Sequence, residues 1–225
     1  MLDTDPPHAS SSRNRLFAAA KRLMAEEGYE RVSTAAIARE AGTSESQLVR
    51  YFTTKSGLLE AIFNESWAPL NPQLAQLVAA SPTAREATLA ILSAMIHALD
   101  QDPDLAKLLL FESRRVRGNH PEIQISKGYL EFATLVVHLV ERGQKDGSFH
   151  TTLQPQAMSA ALLGAAEGLV RERLLATNQG QPPPFPESQI RAVFKAIVSG
   201  FGPRDTESVG SFGNSMSNTA GRHRG

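Results

Sequence analysis

The fold of this chain is decided by the stretch STAAIAREAGTSESQLVRYFTTK, residues 33–55. Two short helical patterns lie in it, from about residue 33 to 41 and from residue 44 to 52, with Gly42 between them. Glycine is favoured after a helix end because it adopts the left-handed conformation without a Cβ penalty. The stretch therefore predicts two helices joined by a tight turn, which is a helix-turn-helix.

The second helix of this pair carries side chains that are suited to reading DNA. Ser44 is a good N-cap, and Gln47 follows at the spacing of a capping box. Gln47 therefore has two alternative uses, which are pairing with adenine and completing the capping box. Arg50 reaches guanine or phosphate, or it stays solvated beside Glu45 and Ser46. Leu48 anchors the helix in the core and is not a reader of bases.

Local charge agrees with a DNA-binding role for this part of the chain. Residues 13–55 hold eight basic and five acidic side chains, a net charge of +3. The whole chain holds 23 basic and 23 acidic residues and is neutral. A grip on a polyanion by the whole surface is therefore not expected, but a local basic face is compatible with the composition.

Helical spacing continues outward to both sides, and no stretch alternates like a strand. The sequence predicts an all-α fold of about nine helices, with prolines 69 and 72 breaking or kinking the fourth and Pro121 opening the long seventh helix. We expect a disordered tail over residues 1–11, the helix-turn-helix domain over 12–56, a larger helical domain over 57–202 and a second disordered tail over 203–225.

Composition excludes several classes of site. Cysteine is absent from the 225 residues, which removes disulfides, thiolate metal sites and cysteine nucleophiles. No apolar run is long enough to span a membrane, and the N-terminus lacks the apolar core of a secretory signal. We expect a soluble cytoplasmic protein that has no membrane partner, no metal and no cofactor.

The helix-turn-helix region resembles the TetR family of transcriptional regulators over about residues 13–63. The residues that carry the resemblance are Gly28-Tyr29, Ser33-Thr34, Ile37-Ala38, Glu40-Ala41-Gly42, Ser44, Leu48, Tyr51-Phe52, Lys55 and Leu58-Leu59. The resemblance implies a homodimer that binds a palindromic operator and a small molecule in the C-terminal half that alters DNA affinity. Repression is the commoner outcome in that family, so we expect a ligand-responsive repressor.

Family positions extend the set of expected DNA contacts. Lys55 is expected to contact phosphate, the alternative being a solvated lysine at a helix start. Thr34 bonds a phosphate or caps its helix, and Tyr51 corresponds to a position that commonly reaches the backbone. Arg13 grips phosphate or lies solvated near the tail. The predicted DNA-binding residues are Thr34, Ser44, Ser46, Gln47, Arg50, Tyr51 and Lys55.

This chain departs from the family pattern at three positions. Ser46 stands where glycine is usual, Val49 stands where an aromatic residue, usually tyrosine, is common, and Ala36 stands where aspartate is frequent. Val49 lacks the hydroxyl that often touches phosphate. Base contacts therefore do not transfer in detail from the family to this chain.

The last two helices are expected to pair with a second copy as a four-helix bundle, as the resemblance implies. An ordinary core is the alternative for both apolar faces. The predicted interface residues are Leu162, Ala165, Leu169, Ile190, Val193, Phe194, Ile197 and Phe201.

The sequence gives few signals for the position of a ligand site. Polar groups on apolar helical faces and one aromatic residue are the candidates, although a lone histidine on such a face is more often a satisfied core residue. Glu167 and Arg171 are spaced to pair with each other on one helix. The predicted ligand-binding residues are His97, Phe111, Glu112, Arg115 and His138.

Two other classes of function are alternatives to a regulator. An enzyme is not supported, because the chain has no glycine-rich phosphate loop, no nucleophile elbow and no metal-spaced cluster. A helical adaptor that binds protein would not need a capped recognition helix with an exposed Arg50. Salt-dependent binding to duplex DNA distinguishes the regulator from both.

Overall fold

Nine α-helices make up the part of the chain that the computed structural model describes, residues 7–113 and 125–202. No β-strand occurs in these two ranges, so the predicted all-α class is confirmed. The helices are α1 (Pro7–Glu27), α2 (Thr34–Glu40), α3 (Glu45–Phe52), α4 (Lys55–Ala80), α5 (Ala84–Gln101), α6 (Pro103–Ser113), α7 (Lys127–Lys145), α8 (Pro155–Asn178) and α9 (Glu187–Gly200).

Local capping fixes the helix-turn-helix as the sequence predicts. The Ser33 hydroxyl accepts from the backbone N–H of Ala36 at 3.1 Å, and the Ser44 hydroxyl accepts from that of Gln47 at 3.4 Å. Gly42 adopts φ +60° directly after α2. These contacts satisfy N–H groups that have no partner within their own helix.

Two residues, Thr53 and Thr54, join α3 to α4, and the first of them is strained. Thr53 has φ 64° and ψ −49°, and the N–H of Thr54 donates to the carbonyl of Phe52 at 2.7 Å. This is a γ-turn of the rarer kind with positive φ, which costs a β-branched residue conformational energy. Gly57 completes the corner, because a Cβ there would lie 2.3 Å from the Phe52 carbonyl oxygen.

Helix α4 continues through both of its prolines, so the prediction that they interrupt it is wrong for helix continuity. A proline inside a helix loses one backbone hydrogen bond and crowds the preceding turn. Trp67 and Leu74, on either side of the prolines, are both buried, and α4 packs against α5 and α7. This packing supports the helix on both sides of the prolines.

Two other predicted boundaries differ from the structure. Helix α1 begins at Pro7, so residues 7–11 of the predicted tail are helical, since proline suits the first turn of a helix. Helix α7 begins at Lys127 and not at Pro121, because the Ser126 hydroxyl caps it by accepting from the N–H of Tyr129. The tail predicted for 203–225 and Pro121 itself lie outside the described residues.

One hydrophobic core runs from the helix-turn-helix into the larger domain. The domain boundary predicted after residue 56 falls inside α4, so a continuous helix links the two parts. At the far end, Asp146 accepts from the N–H groups of Ala84 (2.8 Å) and Ser148 (2.9 Å). Burial raises the pKa of Asp146, but the hydrogen bonds from Ser148 and Ala84 and the charge of Arg142 together lower it below its usual value.

Candidate DNA-binding surface and ligand cavity

Helix α3 has a buried inner face and an exposed outer face. Leu48 and Phe52 are buried, as predicted, whereas Ser46, Val49 and Arg50 are exposed. Val49 is 54% exposed, which is unusual for a large apolar side chain. The outer face therefore offers a hydroxyl, an apolar contact and a guanidinium to a partner.

Three arginines of this domain are free to bind phosphate. The guanidinium groups of Arg31, Arg39 and Arg50 are exposed and form no ion pair or hydrogen bond with the residues that the structure describes. Arg50 lies only over the Tyr51 ring, 5.9 Å from its centroid. Sequence reasoning includes Arg31 and Arg39 in the local charge but does not single them out.

The other basic residues of the domain are already engaged. Arg13 forms an ion pair with Glu65 and lies 5.3 Å from the centroid of the Phe52 ring. Its alternatives, a phosphate grip or a solvated tail residue, are both replaced by a link between α1 and α4. Similar engagements hold Arg15 to the Ala41 carbonyl, Lys21 to Asp102, and Arg22 to Glu26 and Glu40.

Lys55 is bound into the protein and is not a solvated lysine. Its ammonium group donates to the carbonyls of Tyr29 (2.9 Å) and Val32 (3.0 Å), which belong to the turn between α1 and α2. It also lies 4.2 Å from the centroid of the Tyr29 ring. An ammonium group has three N–H donors, so one remains for the predicted phosphate contact.

The remaining predicted contacts lie at the start of α3. The Thr34 hydroxyl donates to the Glu45 carboxylate at 2.6 Å, so its predicted phosphate bond requires this bond to break. The Ser44 and Ser46 hydroxyls are 2.8 Å apart. The Gln47 side chain forms no bond to a described residue, so the reciprocal half of the capping box is absent and its amide is available to a base. Tyr51 is half-buried against Phe52, and its ring centroid lies 6.2 Å from that of Phe52.

An apolar cavity of about 90 Å³ lies between five helices of the larger domain. Carbon atoms form nearly all of its wall, which is the usual character of a small-molecule site. Residues Trp67, Leu92, Met95, Ile96, Leu99, Ala106, Leu109, Leu110, Tyr129, Phe132, Leu163, Ala166, Glu167 and Val170 line it.

Glu112 holds one wall of this cavity in place. Its carboxylate is fully buried and accepts from the indole N–H of Trp67 at 3.1 Å and from the backbone N–H of Ser126 at 2.7 Å. Gly128 fits closely beside the same indole, because a Cβ there would lie 2.2 Å from the Trp67 Cβ. The sequence predicts that Glu112 binds ligand, but in the structure this carboxylate positions Trp67.

The other residues predicted to bind ligand lie outside this cavity or outside the described part of the chain. His97 and His138 are exposed, so they are neither cavity residues nor core histidines. Phe111 stacks on Tyr29, with ring centroids 6.4 Å apart, outside the cavity. Arg115 lies outside the described residues. Arg171 pairs with Glu172 at 3.4 Å, so the predicted Glu167–Arg171 pair is absent and Glu167 faces the cavity.

The cavity residues that sequence reasoning missed come from five separate helices. Within one helix the signal is local, because lining residues such as Tyr129 and Phe132 lie three positions apart on one face. Trp67 gives no local signal, since it contacts Glu112 and Phe132, which are 45 and more positions away in sequence on α6 and α7.

Part of the predicted dimer face is buried in the core of the chain itself. Leu162, Ile190 and Phe194 are buried against its own core, because positions i and i+4 of α9 face inward. They are therefore not available to a second copy. Val193 is 43% exposed, and Gly164 has no atom within 4 Å of where a Cβ would lie. The half-buried remainder of the prediction is Ala165, Leu169, Ile197 and Phe201.

None of the helices in the two described ranges is both long and apolar enough to cross a membrane. The same ranges contain no group of three or more histidine, aspartate or glutamate residues arranged to hold a metal ion.

Comparison with known proteins agrees with this architecture. Residues 16–62 match the family described as bacterial regulatory proteins, tetR family. The nucleoid occlusion factor SlmA of Vibrio vulnificus is 24% identical over 74% of this chain and 85% of its own length. The HTH-type transcriptional repressor KstR2 of Rhodococcus jostii is 25% identical over 66% of this chain and 73% of its own length.

A solved structure shows the same fold at lower identity. The transcriptional regulator FadR from Bacillus subtilis, in complex with stearoyl-CoA, superposes with a TM-score of 0.68 at 18% identity. The superposition covers 82% of this chain and 95% of FadR. The all-helical body and its N-terminal helix-turn-helix therefore occur together in solved regulators.

Proposed function

Because this chain belongs to the TetR family of bacterial transcriptional regulators, we propose that it binds a palindromic operator as a homodimer and represses transcription until a small molecule releases it. The outer face of α3 is the observation that carries the proposal. Ser46, Val49 and Arg50 project from it, and Gln47 has an uncommitted amide. A helix of this kind docks into a major groove and reads base edges with these groups.

Free cations flank the reading helix where phosphates would pass. Arg31 precedes α2 and Arg39 lies in its last turn, while Arg50 lies on α3 itself. Phosphate contacts position a protein on the duplex, whereas base contacts supply specificity. We assign Arg31 and Arg39 to phosphate, and Gln47, Val49 and Arg50 to the bases. DNA is held in the bacterial cytoplasm, which is the location we propose.

A second copy is proposed to pack on the exposed sides of α8 and α9. Gly164 and Gly168 leave open space along α8, so another helix can approach closely. Val193 and Ile197 lie one turn apart on α9, which packs against α8. Val193→Asp places a charge there at no cost to the protomer core. We expect this variant to sediment as a monomer, and an unchanged dimer would exclude this face.

Helix α6 gives the cavity a physical route to the DNA-binding domain. Leu109 and Leu110 line the cavity, and the next residue, Phe111, stacks on Tyr29 in the turn after α1. The Tyr29 ring and carbonyl hold Lys55, the first residue of α4. A ligand that displaces α6 therefore acts on the turn that sets the position of the helix-turn-helix. It shifts DNA affinity only by its differential affinity for the two arrangements.

Selection from random duplex DNA tests the proposal directly. The purified chain is incubated with the pool at moderate salt, and the bound fraction is amplified and sequenced. We expect an enriched palindrome whose affinity falls steeply as salt rises, because phosphate contacts release counterions. Enrichment of a single half-site would contradict the homodimer, and weak binding at every salt concentration would contradict the regulator.

A further inference from the structure

One carboxylate of the cavity wall has no partner among the residues that the structure describes. Glu167 is half-buried on α8 and forms no hydrogen bond or ion pair with the residues that the structure describes. Arg171, one turn further along, directs its guanidinium to Glu172 at 3.4 Å. Glu112, the other nearby carboxylate, is already satisfied by two N–H donors. The described lining includes no lysine, arginine or histidine. Within the described part of the chain, Glu167 is therefore the one lining charge of the cavity that no partner compensates.

Aromatic rings surround the same end of the cavity. The Trp67 ring centroid lies 6.1 Å from that of Tyr129 and 5.1 Å from that of Phe132. Burial and the negative charges of Glu167 and Glu112 raise the pKa of Tyr129, so its phenol lies within the field of both carboxylates. The negative faces of aromatic rings and a carboxylate both attract a cation and repel an anion.

Neighbouring voids extend the cavity in two directions. A void of about 60 Å³ shares Leu92, Met95 and Phe132 with it and continues towards Phe194. A smaller one shares Ile96 and leads out to the ion pair of Asp100 with Arg173. Apolar space of this shape suits an elongated hydrocarbon body.

We infer that the effector of this protein is an elongated apolar molecule with one positively charged nitrogen, which Glu167 and the rings of Trp67 and Tyr129 hold. The inference rests on the proposed function in assuming that this cavity is the effector site. An anionic effector would instead bring its charge against a half-buried carboxylate in an apolar wall, where the repulsion is screened less than in bulk water. The stearoyl-CoA complex of FadR shares the fold, so the fold leaves this choice to the side chains.

The single tryptophan of the chain makes the test direct. Trp67 lines the cavity, so its fluorescence reports binding without any DNA. The probes are octyltrimethylammonium, octanol and octanoate, which share a chain length and differ in charge. We expect octyltrimethylammonium to bind about tenfold more tightly than octanol, and octanoate to bind more weakly than octanol.

Two matched variants assign the preference to one carboxylate. Glu167→Gln should reduce the preference for the cation over octanol to below about threefold. Glu60→Gln removes an exposed carboxylate from α4, which also contributes to the cavity wall, and should leave the preference unchanged. Equal binding of the three probes, tighter binding of octanoate or an unaltered preference in Glu167→Gln would overturn the inference.

A separate measurement distinguishes this failure from that of the proposed function. Operator binding is measured with and without octyltrimethylammonium. A cation preference together with release of the operator supports both claims. An enriched operator with no fluorescence response to any probe would overturn the charged-effector inference and leave DNA recognition standing. A cation preference without any operator would overturn the regulator and leave the cavity chemistry standing.

Discussion

Replacing Lys55 with methionine tests how the helix-turn-helix is held together. Methionine keeps an unbranched stem of similar length but removes the ammonium group. The variant leaves the carbonyls of Tyr29 and Val32 without their donor and removes the cation from the Tyr29 ring. Both carbonyls belong to the turn that joins α1 to α2, so the loss falls on the corner of the DNA-binding domain.

The structure sets the expected size of the effect. Each hydrogen bond to a charged donor contributes about 1.5–3 kcal/mol when buried, and the cation–ring contact about 0.5–1 kcal/mol. Lys55 is half-buried, so water replaces part of the loss. We expect the free energy of unfolding to fall by about 2–3 kcal/mol, which corresponds to a urea midpoint lower by roughly 1 M.

Lys127→Met is the matched control for this measurement. Lys127 is also the first residue of its helix, but its side chain is 87% exposed. Its Nζ atom forms one ion pair, at 3.5 Å from Oε1 of Glu131. An exposed pair of this kind contributes less than about 1 kcal/mol, so its midpoint should barely move. Urea titrations followed by circular dichroism measure both variants. Equal midpoints for Lys55→Met and Lys127→Met would refute a structural role for Lys55.

Three further predictions concern recognition, packing and pH. Arg39→Ala should reduce operator affinity and lower the salt slope by about 0.9 for the phosphate that it no longer neutralises, measured by fluorescence anisotropy, with an unchanged melting temperature. Gly128→Ala should destabilise by about 1–3 kcal/mol in urea because its methyl group overlaps Trp67, whereas Gly164→Ala meets open space and should not destabilise the protomer. Asp146 has a folded-state pKa below its unfolded value, so its contribution is present at neutral pH and is lost as the pH falls through that lowered value. Asp146→Asn should therefore lose less stability than the wild type in urea titrations between about pH 7 and pH 3.

Local signals made the helix-turn-helix predictable from the sequence. Ser33 and Ser44 cap their own helices, and Gly42 adopts the positive φ that its position requires. Each of these contacts spans only two or three residues. A single sequence contains such information in full, so the bounds of α2 and α3 agree with the prediction to within one residue.

Contacts between distant segments were not predictable in the same way. Lys55 binds carbonyls 23 and 26 positions away, and Trp67 binds a carboxylate 45 positions away. His97 and His138 lie on helices with broad apolar faces, where a shift of one position decides between core and solvent. Periodicity alone therefore places both histidines wrongly.

The γ-turn at Thr53 makes the reading helix an extension of α4. One residue separates α3 from the N-cap of α4, and its strained backbone leaves no slack between the two helices. A tilt of α4 therefore moves α3 and its outer face in the same direction. A single-residue insertion after Thr53 would loosen this link. Both helices would still fold, but the distance between the two α3 helices of the proposed dimer would no longer depend on the state of the cavity.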